Sequence, residues 1–111
     1  MKTIEMVREF AEVTQQEPDH VLYMDLINEE YNEWDESLMG TEHELKELAD
    51  LVYVCYGYAN AMGYDLDEAI RRTHLNNIGR CIQPDGTVKR RADGKILKNK
   101  GYPKVDLGDL V

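Results

Sequence analysis

Apolar residues recur every three or four positions in four successive segments of the chain, which is the spacing of an α-helix with one buried face. Each segment is bounded by residues typical of helix ends. The starts are marked by Asp19, by Thr41 with Glu44 and by Asp65 with Glu68, and the stops by Gly40, Gly63 and Gly79. The pattern therefore predicts four helices, at about 3–16, 20–37, 42–62 and 66–77.

Beyond Arg80 the helical period stops. Two turn sequences, Pro84-Asp85-Gly86 and Ala92-Asp93-Gly94, flank short stretches at 87–89 and 95–97 that suit strands. With 111 residues, one domain is expected. We therefore predict an all-α four-helix bundle, with a helical core at 1–80 and a C-terminal hairpin or arm at 81–111 that belongs to the same domain.

The charge is unevenly distributed along the chain. Residues 1–70 hold 3 basic and 18 acidic side chains, whereas residues 71–104 hold 10 basic and 2 acidic ones. The formal net charge of −9 argues against a protein that coats nucleic acid, yet the basic end suits an anionic ligand.

The two cysteines, Cys55 and Cys81, have no spacing typical of a zinc site and fit a reducing compartment. No apolar stretch has the length of a membrane span, and the first residues lack the apolar core of a signal peptide. We expect a cytoplasmic protein without membrane contact, located in the bacterial host cytoplasm if a phage encodes it.

Four carboxylates occupy unusual positions on two predicted helices. On a helical wheel Glu30 and Glu33 fall within the apolar sector of the second helix, and Glu47 and Asp50 continue an apolar stripe of the third. Acidic pairs three residues apart are common in so acidic a chain, and most lie on solvated faces. Position on the wheel separates these two pairs from the others. Glu44 is a further candidate, although its capping role accounts for it equally well.

Carboxylates that point into a core are costly unless they are paired or bind a metal. A short connection makes helices two and three antiparallel, so the four side chains can converge. Such an oxygen cage suits Mg²⁺, which typically shares its coordination with substrate phosphates. The basic end of the chain suits a polyphosphate. A Mg²⁺-nucleoside triphosphate is therefore the simplest ligand that matches both the carboxylates and the basic end. No P-loop or dinucleotide-binding glycine motif is present.

The motifs Glu29-Glu30-Tyr31-Asn32-Glu33 and Glu47-Leu48-Ala49-Asp50-Leu51 resemble the E-x-x-E and E-x-x-D signature of the all-α nucleotide pyrophosphohydrolases, the MazG-like group. That group includes phosphoribosyl-ATP pyrophosphohydrolase and dimeric dUTPases. Downstream, Asn77-Ile78-Gly79-Arg80 and Asp93-Gly94-Lys95-Ile96-Leu97-Lys98 are similar to the ending of small phage-type members. The resemblance spans about residues 22–107.

The resemblance implies a bundle completed by oligomerisation, as a homodimer or homotetramer, and cleavage between the α and β phosphates. It implies that the catalytic metal ligands are Glu30, Glu33, Glu47 and Asp50, with Mg²⁺ bound and Mn²⁺ able to substitute. Asn77 and Arg80 would face the phosphates, Arg80 standing where the family more often has lysine. Lys95 and Lys98 either cover the triphosphate or remain solvated.

Three functional hypotheses follow. The main one is hydrolysis of a (deoxy)nucleoside triphosphate to monophosphate and pyrophosphate, with dGTP and GTP among the candidates. The alternative within the family is a phosphoribosyl-ATP pyrophosphohydrolase. The alternative of another class is an acidic helical interaction module or DNA mimic, which would show no metal dependence. Candidates for contact with the base are Phe10, Gln15, Gln16 and Tyr23.

Overall fold

A computed structural model describes residues 1–111. It contains four α-helices, one two-stranded sheet and a terminal 3₁₀ turn, so the predicted all-α fold class is confirmed. In chain order the elements are α1 (Thr3–Val13), α2 (His20–Glu36), α3 (Glu42–Met62), α4 (Leu66–Arg80), β1 (Lys89–Arg90), β2 (Ile96–Leu97) and the 3₁₀ turn Gly108–Leu110. No helix is long and apolar enough to cross a membrane.

The ends of α2 and α3 are fixed by the residues that the sequence indicates. Asp19 accepts hydrogen bonds from the backbone N–H groups of Val21 and Leu22, and Thr41 accepts one from that of Glu44. Gly63 ends α3 in the left-handed conformation, with a φ of 76°. Side-chain caps and a left-handed glycine satisfy backbone groups that helix ends leave unpaired, which explains why these limits are readable from sequence.

The first helix is shorter than predicted, because it ends at Val13 and not near Gln16. Gln15 adopts a φ of 52°, and the Gln16 N–H donates to the Ala11 carbonyl. This is the geometry of a helix stop that usually contains glycine. Because a glutamine, and not a glycine, occupies the left-handed position, the sequence does not indicate this helix end.

Two compact units divide the chain, Met1–Asp67 (unit 1) and Glu68–Val111 (unit 2). In unit 1, α3 packs against both α1 and α2. Ile4, Val7, Tyr56 and Ala59 form its buried cluster. Gly57 lies against the Tyr23 ring, where a Cβ atom would collide with the ring carbons. The α2–α3 pair thus depends on a glycine at the point of closest approach.

Only part of the apolar face of α3 is covered in the single chain. Tyr56 and Ala59 are buried, but Leu45, Leu48 and Val52, which continue the same stripe toward the helix start, are exposed by 66%, 39% and 46%. The part of this face nearest the start of α3 therefore remains exposed in unit 1.

Unit 2 joins most of α4 to the C-terminal arm. The predicted stop at Gly79 is wrong, because α4 continues to Arg80 and Gly79 lies inside it. The Tyr102 side chain occupies the space that a Cβ atom on Gly79 would need. The glycine thus permits close packing of the arm and does not end the helix.

The arm contains the predicted hairpin in slightly shifted positions. Lys89 pairs with Leu97 and Arg90 with Ile96 in an antiparallel ladder. The connecting turn closes through a hydrogen bond from the Gly94 N–H to the Arg91 carbonyl, with Gly94 at a φ of 88°. The sequence has a glycine at the turn position that needs a positive φ. The hairpin is therefore predictable from the sequence, although each strand is only two residues long.

Candidate active site

Three of the four predicted carboxylates converge in unit 1. Glu30 projects from α2, and Glu47 and Asp50 project from successive turns of α3. One oxygen from each lies within 4.8 Å of the others, and each residue is partly buried. Antiparallel packing of α2 on α3 produces this arrangement, since it brings the second half of α2 beside the first half of α3.

Two of the three clustered carboxylates, Glu30 and Glu47, each have an oxygen without a partner in the protein. Glu30 Oε2 and Glu47 Oε2 are both buried and have no hydrogen-bond partner. Buried polar atoms normally have a hydrogen-bond partner, so two buried oxygens without one in the same cluster depart from the usual pattern. Burial raises the pKa of Glu30 above its ordinary value, followed by the negative charge of Glu33, a side-chain hydrogen bond with Glu33, and the charges of Asp50 and Glu47. Anionic oxygens in this arrangement match the donors preferred by hard divalent cations such as Mg²⁺.

Glu33 lies at the rim of this cluster. Its side chain is exposed and contributes no oxygen to the group of three, but its charge acts on Glu30, one helical turn earlier. It also borders a cleft of about 520 Å³. The cleft is lined by Glu33, Glu36, Ser37, Leu38, His43 and Glu47. Glu47 of the cluster and Glu33 thus border a space of the size that small-molecule sites occupy.

Two cationic or polar groups contact the cluster from α3 itself. Lys46 Nζ lies 2.5 Å from Asp50 Oδ1, and His43 Nδ1 lies 3.7 Å from Glu47 Oε1. Both are four residues before their partners, a spacing that places side chains on one helix face. The helical spacing in the sequence is the signal for both contacts, although the His43 side chain itself is 68% exposed.

Glu44 has a structural role. Its carboxylate accepts a hydrogen bond from the Trp34 indole at 3.0 Å and another from the Gly40 backbone N–H at 3.1 Å. These contacts join the end of α2 to the start of α3. Each Glu44 oxygen therefore accepts a hydrogen bond, and Glu44 is not part of the group of three carboxylates.

The predicted phosphate-binding residues all lie in unit 2. Asn77 is exposed on α4, whereas the neighbouring Asn76 donates its side-chain amide to the Pro103 carbonyl. Arg80 ends α4 and has a buried Nε without a partner. Asn77 and Arg80 thus retain donors for a ligand, while Asn76 fixes the arm.

The basic residues of unit 2 differ in availability. Lys95 and Lys98 flank β2, are exposed and form no ion pair. By contrast, Arg71 pairs with Glu68, and Arg72 pairs with Glu68 and Asp109. Ion pairs within unit 2 therefore neutralise part of the positive charge that was expected to bind an anionic ligand.

The residues suggested for base contact do not form a base-sized pocket. Phe10, Gln16 and Tyr23 border a cavity of about 60 Å³, and Gln15 is not among its lining residues. The volume corresponds to about two water molecules. Phe10 instead packs edge to face on Tyr53, with ring centres 5.7 Å apart.

Residues 2–77 match the protein family described as phosphoribosyl-ATP pyrophosphohydrolase. The chain belongs to this family. The match covers all three clustered carboxylates and supports the all-α pyrophosphohydrolase fold that the motifs resemble. The protein is therefore an enzyme of the pyrophosphohydrolase type, a hydrolase that acts on acid anhydrides in nucleotides. No curated protein matches the chain.

Proposed function

We propose that this family member hydrolyses a (deoxy)nucleoside triphosphate to the monophosphate and pyrophosphate in a Mg²⁺-dependent reaction. The observation that carries the proposal is the group of Glu30, Glu47 and Asp50, with two buried oxygens that lack partners. Glu33 is included as the fourth carboxylate, because it borders the same cleft as Glu47 and acts electrostatically on Glu30.

The carboxylates fit a divalent cation by charge, by donor type and by spacing. A bound Mg²⁺ would supply charge neutralisation at the phosphates and lower the pKa of a coordinated water. Glu30, Glu47 and Asp50 would hold it from two helices whose relative position is fixed by the Trp34–Glu44 hydrogen bond. Partial burial of the carboxylates strengthens their electrostatic action relative to exposed groups.

The phosphate chain would be bound by Asn77, Arg80, Lys95 and Lys98. Support comes from the motif resemblance, from the exposed positions of Asn77, Lys95 and Lys98, and from the Arg80 Nε, which has no partner. An arginine at position 80 presents a planar set of donors suited to two phosphate oxygens at once.

Phosphoribosyl-ATP is the second candidate substrate, because the matching family carries that description. The family match favours either enzyme over an acidic interaction module. The guanine nucleotides dGTP and GTP are the first triphosphates to compare with phosphoribosyl-ATP.

The test is a substrate panel monitored by pyrophosphate release, with product identification. The panel contains the eight common nucleoside and deoxynucleoside triphosphates and phosphoribosyl-ATP, each with Mg²⁺, with Mn²⁺ and with EDTA. The proposal expects a monophosphate and pyrophosphate from a triphosphate, and no turnover in EDTA. Turnover of phosphoribosyl-ATP alone would replace the main substrate assignment, and metal-independent turnover would contradict the site.

A further inference from the structure

Lys46 is the cation that contacts the carboxylate cluster most closely. Its ammonium lies 2.5 Å from Asp50 Oδ1, and the two side chains are 67% and 34% exposed. The hydrogen bond to Asp50 is the main cause that raises the pKa of Lys46, and the charges of Glu47 and Glu30 add to it. The ammonium therefore experiences all three clustered carboxylates.

This position conflicts with metal binding. A divalent cation held by Asp50 would repel a positive charge at hydrogen-bond distance from the same carboxylate. The lysine side chain is long and flexible, and its exposure leaves it free to turn toward solvent. An anionic co-ligand of the metal within reach of the flexible side chain would offer the ammonium a new partner.

We propose that Lys46 is a displaceable counterion, which neutralises Asp50 in the metal-free protein and moves to a phosphate oxygen when a metal and its anionic ligand bind. The inference rests on the proposed function, since it assumes that the cluster binds a divalent cation. It assigns Lys46 two successive partners of the same charge, a carboxylate and then a phosphate.

The two roles give substitutions of Lys46 effects of opposite sign. Lys46→Gln removes the competitor for Asp50, so Mg²⁺ binds about two- to fivefold more tightly, the range for an exposed ion pair. The same change removes a charged donor to phosphate, so inorganic pyrophosphate binds about tenfold more weakly at saturating Mg²⁺. A lysine that only stabilised α3 would not produce this pair of changes.

The experiment is calorimetric titration of the nucleotide-free protein, first with MgCl₂ and then with inorganic pyrophosphate at saturating Mg²⁺. Lys46→Gln is compared with Arg8→Gln, which removes the same charge from α1, where Arg8 has no ion pair. Lys46→Arg is expected to restore most of the pyrophosphate affinity. Thermal melting in EDTA verifies that each variant folds.

The outcomes distinguish the inference from the proposed function. If the wild-type protein binds Mg²⁺ but Lys46→Gln matches Arg8→Gln in both titrations, the Lys46 role is overturned and the metal site stands. The same holds if Lys46→Gln weakens Mg²⁺ binding. If the wild-type protein binds no Mg²⁺, the metal site itself is overturned, and the role of Lys46 with it.

Discussion

Asp67 joins two other segments of unit 1. One carboxylate oxygen accepts a hydrogen bond from the Tyr56 hydroxyl at 2.9 Å, and the other accepts one from the Ile4 backbone N–H at 3.2 Å. The Ile4 N–H is in the first turn of α1, where backbone donors have no helical partner. A single residue thus anchors the start of α1 and a buried side chain of α3.

The Tyr56 contact predicts a pH dependence of stability. Burial, with the hydrogen bond to Asp67 second, raises the pKa of Tyr56 from 10.0 to about 12. Because the folded-state pKa is the higher one, folding favours the neutral phenol. Its stabilising contribution is complete below pH 10 and is lost as the pH rises through about 12.

Urea denaturation at several pH values tests this expectation. At neutral pH, Tyr56→Phe should be less stable than the wild type by about 1 kcal/mol, since a buried hydrogen bond is lost. The difference should shrink between pH 10 and 12. Tyr31→Phe, at a half-exposed position, serves as the control and should show no such convergence. A gap for Tyr56→Phe that stays constant across this range would contradict the account.

At the scale of elements, the α2–α3 pair carries both the fold and the site. Its close approach is permitted by Gly57, because the Tyr23 ring fills the space beside that residue. Its loop end is fixed by the hydrogen bond from Trp34 to Glu44. The carboxylates lie between these two points along the helices, so their separation depends on both contacts.

Gly57→Ala should destabilise the protein although alanine favours helices. The added methyl group would collide with the Tyr23 ring, and overpacking typically costs about 1–3 kcal/mol. In a Tyr23→Val background the collision disappears, so the same change should stabilise by up to about 1 kcal/mol through helix propensity. Gly101→Ala, whose Cβ would meet only Asn99 Oδ1 at 3.4 Å, is the control.

Free energies of unfolding for the four proteins of this double-mutant cycle give the coupling directly. An effect of Gly57→Ala that is independent of residue 23 would show that the steric argument fails. The Gly101→Ala variant should remain within about 0.5 kcal/mol of the wild type.

The sequence predicts elements well where their limits depend on local contacts. Asp19, Thr41 and Gly63 end or begin helices through bonds to residues nearby in the chain, and these limits were predicted correctly. The predicted stop at Gly79 is wrong, because a glycine is needed there for another reason. It leaves room for the side chain of Tyr102, which lies 23 positions later in the chain. Distant packing of this kind leaves no periodic trace in the sequence.

The same distinction applies to the candidate site. Helical phase and a short connection sufficed to bring Glu30, Glu47 and Asp50 together. They did not reveal that Glu33 lies at the rim, nor that Glu44 is occupied by Trp34 and Gly40. Those details depend on how closely α2 packs against α3. A helical wheel describes one helix and gives no information about that distance.

At the scale of the whole molecule, the exposed part of the α3 face favours self-association. Leu45, Leu48 and Val52 form one stripe with the buried Tyr56 and Ala59 but lack cover in the single chain. Large exposed apolar patches are typical of interaction sites. We expect a homodimer or homotetramer that buries it, as the family resemblance implies.

Sedimentation velocity across a range of concentrations measures this association. Val52→Glu would place a charge in the proposed interface and should shift the protein to monomer. Val13→Glu, on the 76%-exposed last residue of α1, introduces the same charge outside the stripe and should leave the assembly intact. A wild-type protein that stays monomeric at high micromolar concentration would contradict the proposed interface.

We propose that the three-carboxylate cluster performs Mg²⁺-dependent pyrophosphate release. Its most direct test is the initial rate of release by Glu47→Gln, measured with the nucleotide that the wild type cleaves fastest. Glu42→Gln, at an exposed position in the first turn of α3, is the matched control. Loss of a carboxylate that holds the metal should lower the rate at least about a hundredfold, because metal assistance contributes several kcal/mol. The control should stay near the wild-type rate, and a Glu47→Gln variant that does so as well would contradict the account.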